Sequence, residues 1–123
     1  MDFFGRGGSS PWLMKKVIYT PKAKEDLMRI KEGIIENFGD EELAVRSMRK
    51  LTDRVKLLQD FPNMGIELEK ISGIPSEYHY LFCKPNYVFY RVEKETVRII
   101  RVLHERQDYM RTLFGIAEVE DEE

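Results

Sequence analysis

Apolar residues fall at Ala23, Leu27, Ile30, Ile34 and Phe38, at steps of four, three, four and four. That spacing puts them on one face of a helix. Thr20-Pro21 supplies its start, with Thr as N-cap and Pro at the first helical position. Gly39 suits the left-handed residue that closes it. Asp40 then caps a second helix at once, and Glu41 and Glu42 suit its positive N-terminal dipole. Ala44, Met48, Leu51, Val55 and Leu58 form the second stripe, and Pro62, Asn63 and Gly65 stop it. A link this short predicts an antiparallel helix hairpin.

The pattern elsewhere is that of strands. Lys15–Thr20 reads as a short one ahead of the helices. Residues 66–77, with Gly73 and Pro75, read as a connecting loop. Three alternating runs follow, Tyr78–Lys84, Tyr87–Glu93 and Thr96–His104, separated by Pro85-Asn86 and Lys94-Glu95. They predict an antiparallel meander; Lys94-Glu95 is poor chemistry for a two-residue primed turn, which favours a longer loop there. Asp108–Phe114, ended by Gly115, reads as a last short helix. The order is β-α-α-β-β-β with that helix appended. Segregated helices and strands give an α+β domain, a helix hairpin packed on a curved, mainly antiparallel sheet.

Alternation assigns the sheet's faces. Leu81, Cys83, Val88, Tyr90, Val92, Val97, Ile99 and Leu103 are expected beneath the hairpin, with His79 as a satisfied core histidine. Tyr80, Phe82, Phe89, Arg91, Arg98, Ile100, Val102 and His104 are expected on the open face. Cross-strand pairing is expected to align Tyr80, Arg91 and Arg98 in one row and Phe82, Phe89 and Ile100 in the next. Arg91 opposite Arg98 is a like-charge pair, unfavourable by itself. An anionic partner relieves it, or else Glu93 or the acidic C-terminus does. The apolar row calls for a cover, since exposed apolar patches mark interaction sites. The terminal helix, residues 1–13, a second copy forming a homodimer, or another protein can supply one.

Composition narrows the setting. The 123 residues are 42% hydrophobic, enough for one domain with a core. Residues 1–13 hold three of the eight glycines and the only tryptophan without periodicity, and read as a flexible leader or tag-like extension. The domain is expected over 14–115, followed by an acidic tail at 116–123. Net charge is −2, yet residues 14–117 hold 19 basic and 16 acidic residues, so the body is mildly basic. No apolar stretch approaches the roughly 20 residues that cross a bilayer, so no membrane role is expected. A single cysteine, Cys83, fits a reducing cytoplasm. No zinc spacing, Gly-rich phosphate loop or Ser-His-Asp pattern is present, and no cofactor or metal is expected.

Several strings resemble the RelE/ParE toxin superfamily of type II toxin–antitoxin systems, and sit closer to its ParE-like branch. They are YTPKAKEDLMRI at 19–30, FPNMG at 61–65, YVFYRVEKETVRIIRVLHERQDY at 87–109 and LFG at 113–115. The resemblance covers about residues 15–115. It implies a helix hairpin on a curved antiparallel sheet and a cognate antitoxin that wraps the toxin. It also implies one of two targets. RelE-like toxins cut mRNA in the ribosome; ParE-like toxins inhibit DNA gyrase and cleave nothing.

Metal-free RNA cleavage needs a base or oriented donor, cations for the phosphate, and an acid for the leaving oxygen. His104, Arg106 and Tyr109 are the candidates if the chain is RelE-like, with Arg91 and Arg98 as further cations. Against that branch, the resemblance puts Tyr87 where RelE-like nucleases usually carry arginine. The body charge is also low for a polyanion binder. For a ParE-like chain the expected partner- or target-binding residues are Tyr80, Phe82, Phe89, Arg91, Arg98, Ile100 and Arg101. His104 then has a structural alternative, fixing the corner by bonding Asp108 or a backbone carbonyl, and Arg106 has one as a salt-bridge partner of Asp108 or Glu105. A third reading is an inactive plasmid-stabilisation-type protein that keeps only the binding surface.

Overall fold

A short strand, β1 (Lys16–Tyr19), leads into α1 (Pro21–Phe38), and α2 (Glu41–Lys56) follows after two residues. The computed structural model describes residues 14–115. The expectations placed on 1–13 and on the acidic tail lie outside the described residues. Both helix starts follow their predicted chemistry. Thr20 Oγ1 accepts from the Ala23 amide at 3.1 Å, and Asp40 Oδ1 accepts from the Leu43 amide at 3.0 Å. Gly39 takes φ 62° and donates to the Ile35 carbonyl, ending α1. Ala23, Ala44, Leu51, Val55 and Leu58 are buried, with Leu27 and Ile30 packed against them. Each large aliphatic side chain buried this way contributes about 1.5–3 kcal/mol. Phe38 departs from the expected stripe: it sits in the last turn of α1, beyond the sheet's cover, and is exposed.

The sheet has five strands in the order β1-β5-β4-β3-β2. These are β2 (Ile66–Glu67), β3 (Tyr78–Cys83), β4 (Asn86–Val92) and β5 (Thr96–His104), alongside β1. β1 runs parallel to β5, and the other pairs are antiparallel. The expected featureless loop at 66–77 is corrected. It holds β2 and a one-turn helix, α3 (Glu69–Ser72). Leu68 between them is buried, and its amide reaches the Tyr78 carbonyl at 2.9 Å. The last described element is α4 (Tyr109–Phe114), capped by Asp108 and closed by Gly115 at φ 73°.

The FPNMG string has a local reason. The Tyr90 hydroxyl, beneath it, accepts from the Gly65 amide and donates to the Pro62 carbonyl, both at 3.0 Å. A Cβ at Gly65 would lie 2.4 Å from that hydroxyl oxygen and 2.7 Å from the Tyr80 carbonyl. Only glycine lets the backbone approach so closely. Burial pushes the Tyr90 hydroxyl up to about 12, against the opposing effect of the Gly65 bond.

Two registers differ from expectation. Lys84-Pro85 makes the β3–β4 turn, so Cys83 pairs with Asn86 and Tyr80 pairs with Phe89 rather than Arg91. At the next turn the Glu93 amide donates to the Thr96 carbonyl at 2.8 Å. The Lys15 ammonium holds the Glu93 and Lys94 carbonyls at 2.9 and 2.6 Å, which compensates for the poor turn residues. Further along, β5 carries an extra residue opposite Phe89/Tyr90: Tyr90 pairs with Ile99, but Phe89 pairs with Arg101. This bulge shifts alternation by one. Val102 therefore packs beneath the hairpin and Leu103 on the opposite side, the reverse of the faces expected for them. His104 lands opposite Asn86 rather than on the open face.

The bulge coincides with the end of β1. β5 has nine residues and β1 four, so β5 loses its neighbour halfway. The start of α1 takes over that edge. The Thr20 amide donates to the Ile99 carbonyl and Thr20 Oγ1 to the Ile100 carbonyl. The Asp26 carboxylate accepts from the Val102 amide at 3.0 Å. An edge that would otherwise present free backbone groups is thereby closed.

Candidate functional site

Three rows of side chains cross the face opposite the hairpin. Phe82 pairs with Tyr87, and Tyr87 with Leu103; Tyr80 pairs with Phe89, and Phe89 with Arg101; Tyr78 pairs with Arg91, and Arg91 with Arg98. The like-charge pair expected at Arg91 and Arg98 is present in register, with Tyr78 rather than Tyr80 beside it.

The aromatic rows are half covered by the chain itself. Phe89 is 1% exposed. Tyr109 lies 5.4 Å from it ring to ring, and Tyr109, Leu113 and Phe114 of α4 pack on the same cluster. Phe114 meets Tyr78 edge-on at 5.7 Å. Phe89 is thus sealed beneath its own terminal helix, and its expected role as a contact residue is not available in this conformation. Phe82, Ile66 and Ile71 stay exposed, with Tyr80 and Tyr87 half-buried. These residues form the accessible apolar part of the face.

The arginines also have internal partners. Glu93 Oε2 receives Arg91 Nη2 at 3.2 Å and Arg98 Nε at 3.1 Å. The bonds from Arg98, Thr96 and Arg91 hold the Glu93 carboxyl down to about 2. Of the three reliefs open from sequence, Glu93 is the one seen among the described residues. Arg101 turns away from the face. Its Nε and Nη2 form a forked bridge to Asp26 at 2.7 and 2.9 Å, with Arg29 adding a bond at 3.0 Å. Burial pushes the Asp26 carboxyl up, but the bonds from Arg101, the Val102 amide and Arg29 outweigh it and leave the pKa below the usual value. Ile100 sits at the bulge with its carbonyl held by Thr20. Asp26 escaped the sequence reading because it lies off the apolar stripe and looks like one more helix-surface acid. Its one signal is weak: an acid on the helix face beside an arginine-bearing strand.

The corner after β5 is locked. The His104 amide donates to Gln107 Oε1 at 2.8 Å, and His104 Nδ1 accepts from the Arg106 amide at 3.1 Å. The imidazole fixes the corner as a structural reading expects, though through a backbone N–H and not through Asp108, which caps α4 instead. Arg106 is exposed on the turn, and its side chain has no ion pair among the described residues. His79 stacks on Tyr90 with rings 5.3 Å apart, but its buried Nδ1 has no hydrogen-bond partner, so the satisfied core histidine expected there is not seen.

A cavity of about 990 Å³ opens between the hairpin and the β3–β4 turn. Ile34, Phe38 and Met48 supply apolar wall, Arg54 and Lys84 supply charge, and His104 lines it as well. Burial pushes the Cys83 thiol in its wall up, beyond what Arg54 can offset. Among the described residues no group of three His, Cys, Asp or Glu side chains is placed to hold a metal, and no helix is long and apolar enough to cross a membrane.

A family model described as the ParE toxin of the type II toxin–antitoxin system parDE matches residues 17–109. A structure of the chromosomal ParDE system from P. aeruginosa shares 26% identity with a TM-score of 0.63, covering 74% of this chain and 96% of that one. The E. coli DinJ-YafQ toxin–antitoxin complex shares 15% identity with a TM-score of 0.48, covering 83% of this chain and 99% of its own. No curated protein sequence matches.

Proposed function

The chain belongs to the ParE toxin family of type II toxin–antitoxin systems, and from that premise we propose that it arrests growth by binding DNA gyrase as a protein inhibitor that cleaves nothing. An antitoxin lying across the sheet and the helix hairpin neutralises it. The observation that carries this reading is that three of the candidate nuclease groups, Arg91, Arg98 and His104, already have partners within the chain. Arg91 and Arg98 are held by Glu93, and His104 Nδ1 by the Arg106 amide. An acid–base pair in RNA cleavage needs free groups within hydrogen-bond reach of the attacking and leaving oxygens of one phosphodiester. A binding surface needs only exposed apolar and charged groups. Phe82, Ile66 and Ile71 beside two half-exposed arginines supply these. The apolar-walled cavity beside the hairpin supports a second zone of antitoxin contact.

Induction in bacteria tests the proposal. The expected outcome is a DNA-damage response with intact mRNA, together with loss of supercoiling when purified chain is added to gyrase. Rapid cleavage of mRNA on induction would overturn it in favour of a ribosome-dependent endonuclease. One observation favours that second reading: Arg106 is exposed and without an ion pair among the described residues, two positions from His104. A well-folded chain that harms nothing would point to an inactive binding protein.

A further inference from the structure

The arginine row offers a seat that the chain fills only in part. Arg91 and Arg98 stand directly opposite each other on the face that carries Tyr78 and Tyr80. One carboxylate serves both, and it also accepts from Thr96 Oγ1 at 3.0 Å. The sharing is unequal. Arg98 Nε lies within 3.2 Å of both Glu93 oxygens, whereas Arg91 offers one terminal nitrogen and its Nε is buried without a partner. The two side chains stay 41% and 40% exposed. Two cations divide one anion, so the row keeps positive charge and unused donors. The Lys15 ammonium, bound to the turn carbonyls, adds positive charge at the same end.

We infer that Arg91 and Arg98 form an exchange seat for a carboxylate of an acidic peptide segment in a protein partner, and that Glu93 is the internal occupant this carboxylate displaces. A second carboxylate completes a pairing that Glu93 leaves short, since guanidinium prefers a forked partner. A polyanion needs several cations in line, whereas Arg101 is committed to Asp26. Glu93 thereby sets a threshold: weakly acidic segments do not outcompete it, and strongly acidic ones do. Naming the antitoxin as that partner rests on the proposed function; the seat itself does not.

The test titrates the full-length chain at low salt with a hexaglutamate peptide, following the arginine Nε–H signals by NMR. In the unaltered protein, peptide is expected to shift the Arg91 and Arg98 signals together. Glu93→Gln keeps the size of the side chain and removes the competing charge. It should bind the peptide roughly tenfold more tightly, the scale expected for removing one charge-assisted competitor. Adding Arg98→Ala should abolish that gain. Equal affinity of the two forms, a gain that survives Arg98→Ala, or peptide binding that leaves both arginine signals unmoved would each overturn the inference. So would a single-stranded RNA 12-mer that gains more than the peptide does. Failure here leaves the toxin reading standing. A chain that binds the peptide as expected but affects neither growth nor gyrase keeps the seat and loses that reading.

Discussion

Asp26→Ala is expected to be among the costliest single changes outside the apolar core. The carboxylate is 1% exposed and accepts from Arg101 twice, from Arg29, and from the Val102 amide. Removing it strands a guanidinium that is 20% exposed and an edge amide. Breaking a buried pair from one side costs about 3–5 kcal/mol, a large share of a domain stability of about 5–15 kcal/mol. Asp26→Asn should recover little, because each carboxylate oxygen receives a guanidinium N–H and an amide NH2 must face one of them. Arg29→Ala should cost under about 0.5 kcal/mol, since Arg29 is 64% exposed. Because the folded pKa of Asp26 lies below its ordinary 3.8, its contribution is complete above that value and fades as pH falls below it. Urea unfolding followed by far-UV circular dichroism at pH 7 reads all three variants. An Asp26→Ala chain within about 1 kcal/mol of the parent, at unchanged m-value, would refute the claim that this carboxylate closes the β5 edge.

Gly65→Ala should cost about 1–3 kcal/mol in the same unfolding assay, because its Cβ would meet the Tyr90 hydroxyl oxygen and a backbone carbonyl. Leu103→Ala should cost about 2–5 kcal/mol and loosen α4, seen as faster amide exchange in residues 109–114; a cost near that of a surface leucine would contradict its place in the second core. Glu93→Gln should lower stability above pH 4.5 and leave it nearly unchanged near pH 2. The Glu93 carboxyl is held from 4.5 down to about 2, so its contribution is present above 4.5 and lost as pH falls toward 2. Unfolding midpoints at pH 5 and pH 2.5 should therefore differ less in the variant than in the parent.

The helix hairpin was legible because its signals are local. Caps, a breaker and a 3.6-residue period all agree, and the structure repeats them. The Arg91–Arg98 pairing followed from alternation, although the turn between them is tight where a longer loop was expected. The remaining rows were not. The β3–β4 turn falls one residue earlier than Pro85-Asn86 suggests, which displaces every partner of β3. The β5 bulge answers to a tertiary event, the end of β1, that no local pattern announces. Val102 and Leu103 are both apolar, so alternation had nothing with which to detect the shift. At the site, Glu93 was among the partners expected for Arg91 and Arg98, whereas Asp26 was not expected for Arg101. Whether an arginine is available depends on the nearest carboxylate, and Asp26 comes from a segment 75 positions away from Arg101.

Those engagements divide the candidate cations by what each would need before acting on a target. Arg101 is tied to a buried carboxylate, and freeing it would expose the β5 edge, so it serves the fold. Arg91 and Arg98 are tied to a carboxylate on an exposed turn, which another anion can replace without disturbing the core. Arg106 is tied only through its backbone amide, which leaves its guanidinium available and His104 Nδ1 occupied. RNA cleavage by this corner would need that amide contact broken and the locked turn reshaped, while partner binding at the arginine row needs one surface carboxylate to swing aside. The smaller rearrangement lies with binding, and the physical separation of the two arginine groups makes the readings divisible by mutation. Arg106→Ala should leave growth arrest intact in a gyrase-binding chain and abolish it in a nuclease, whereas Arg98→Ala should weaken antitoxin rescue in the first case.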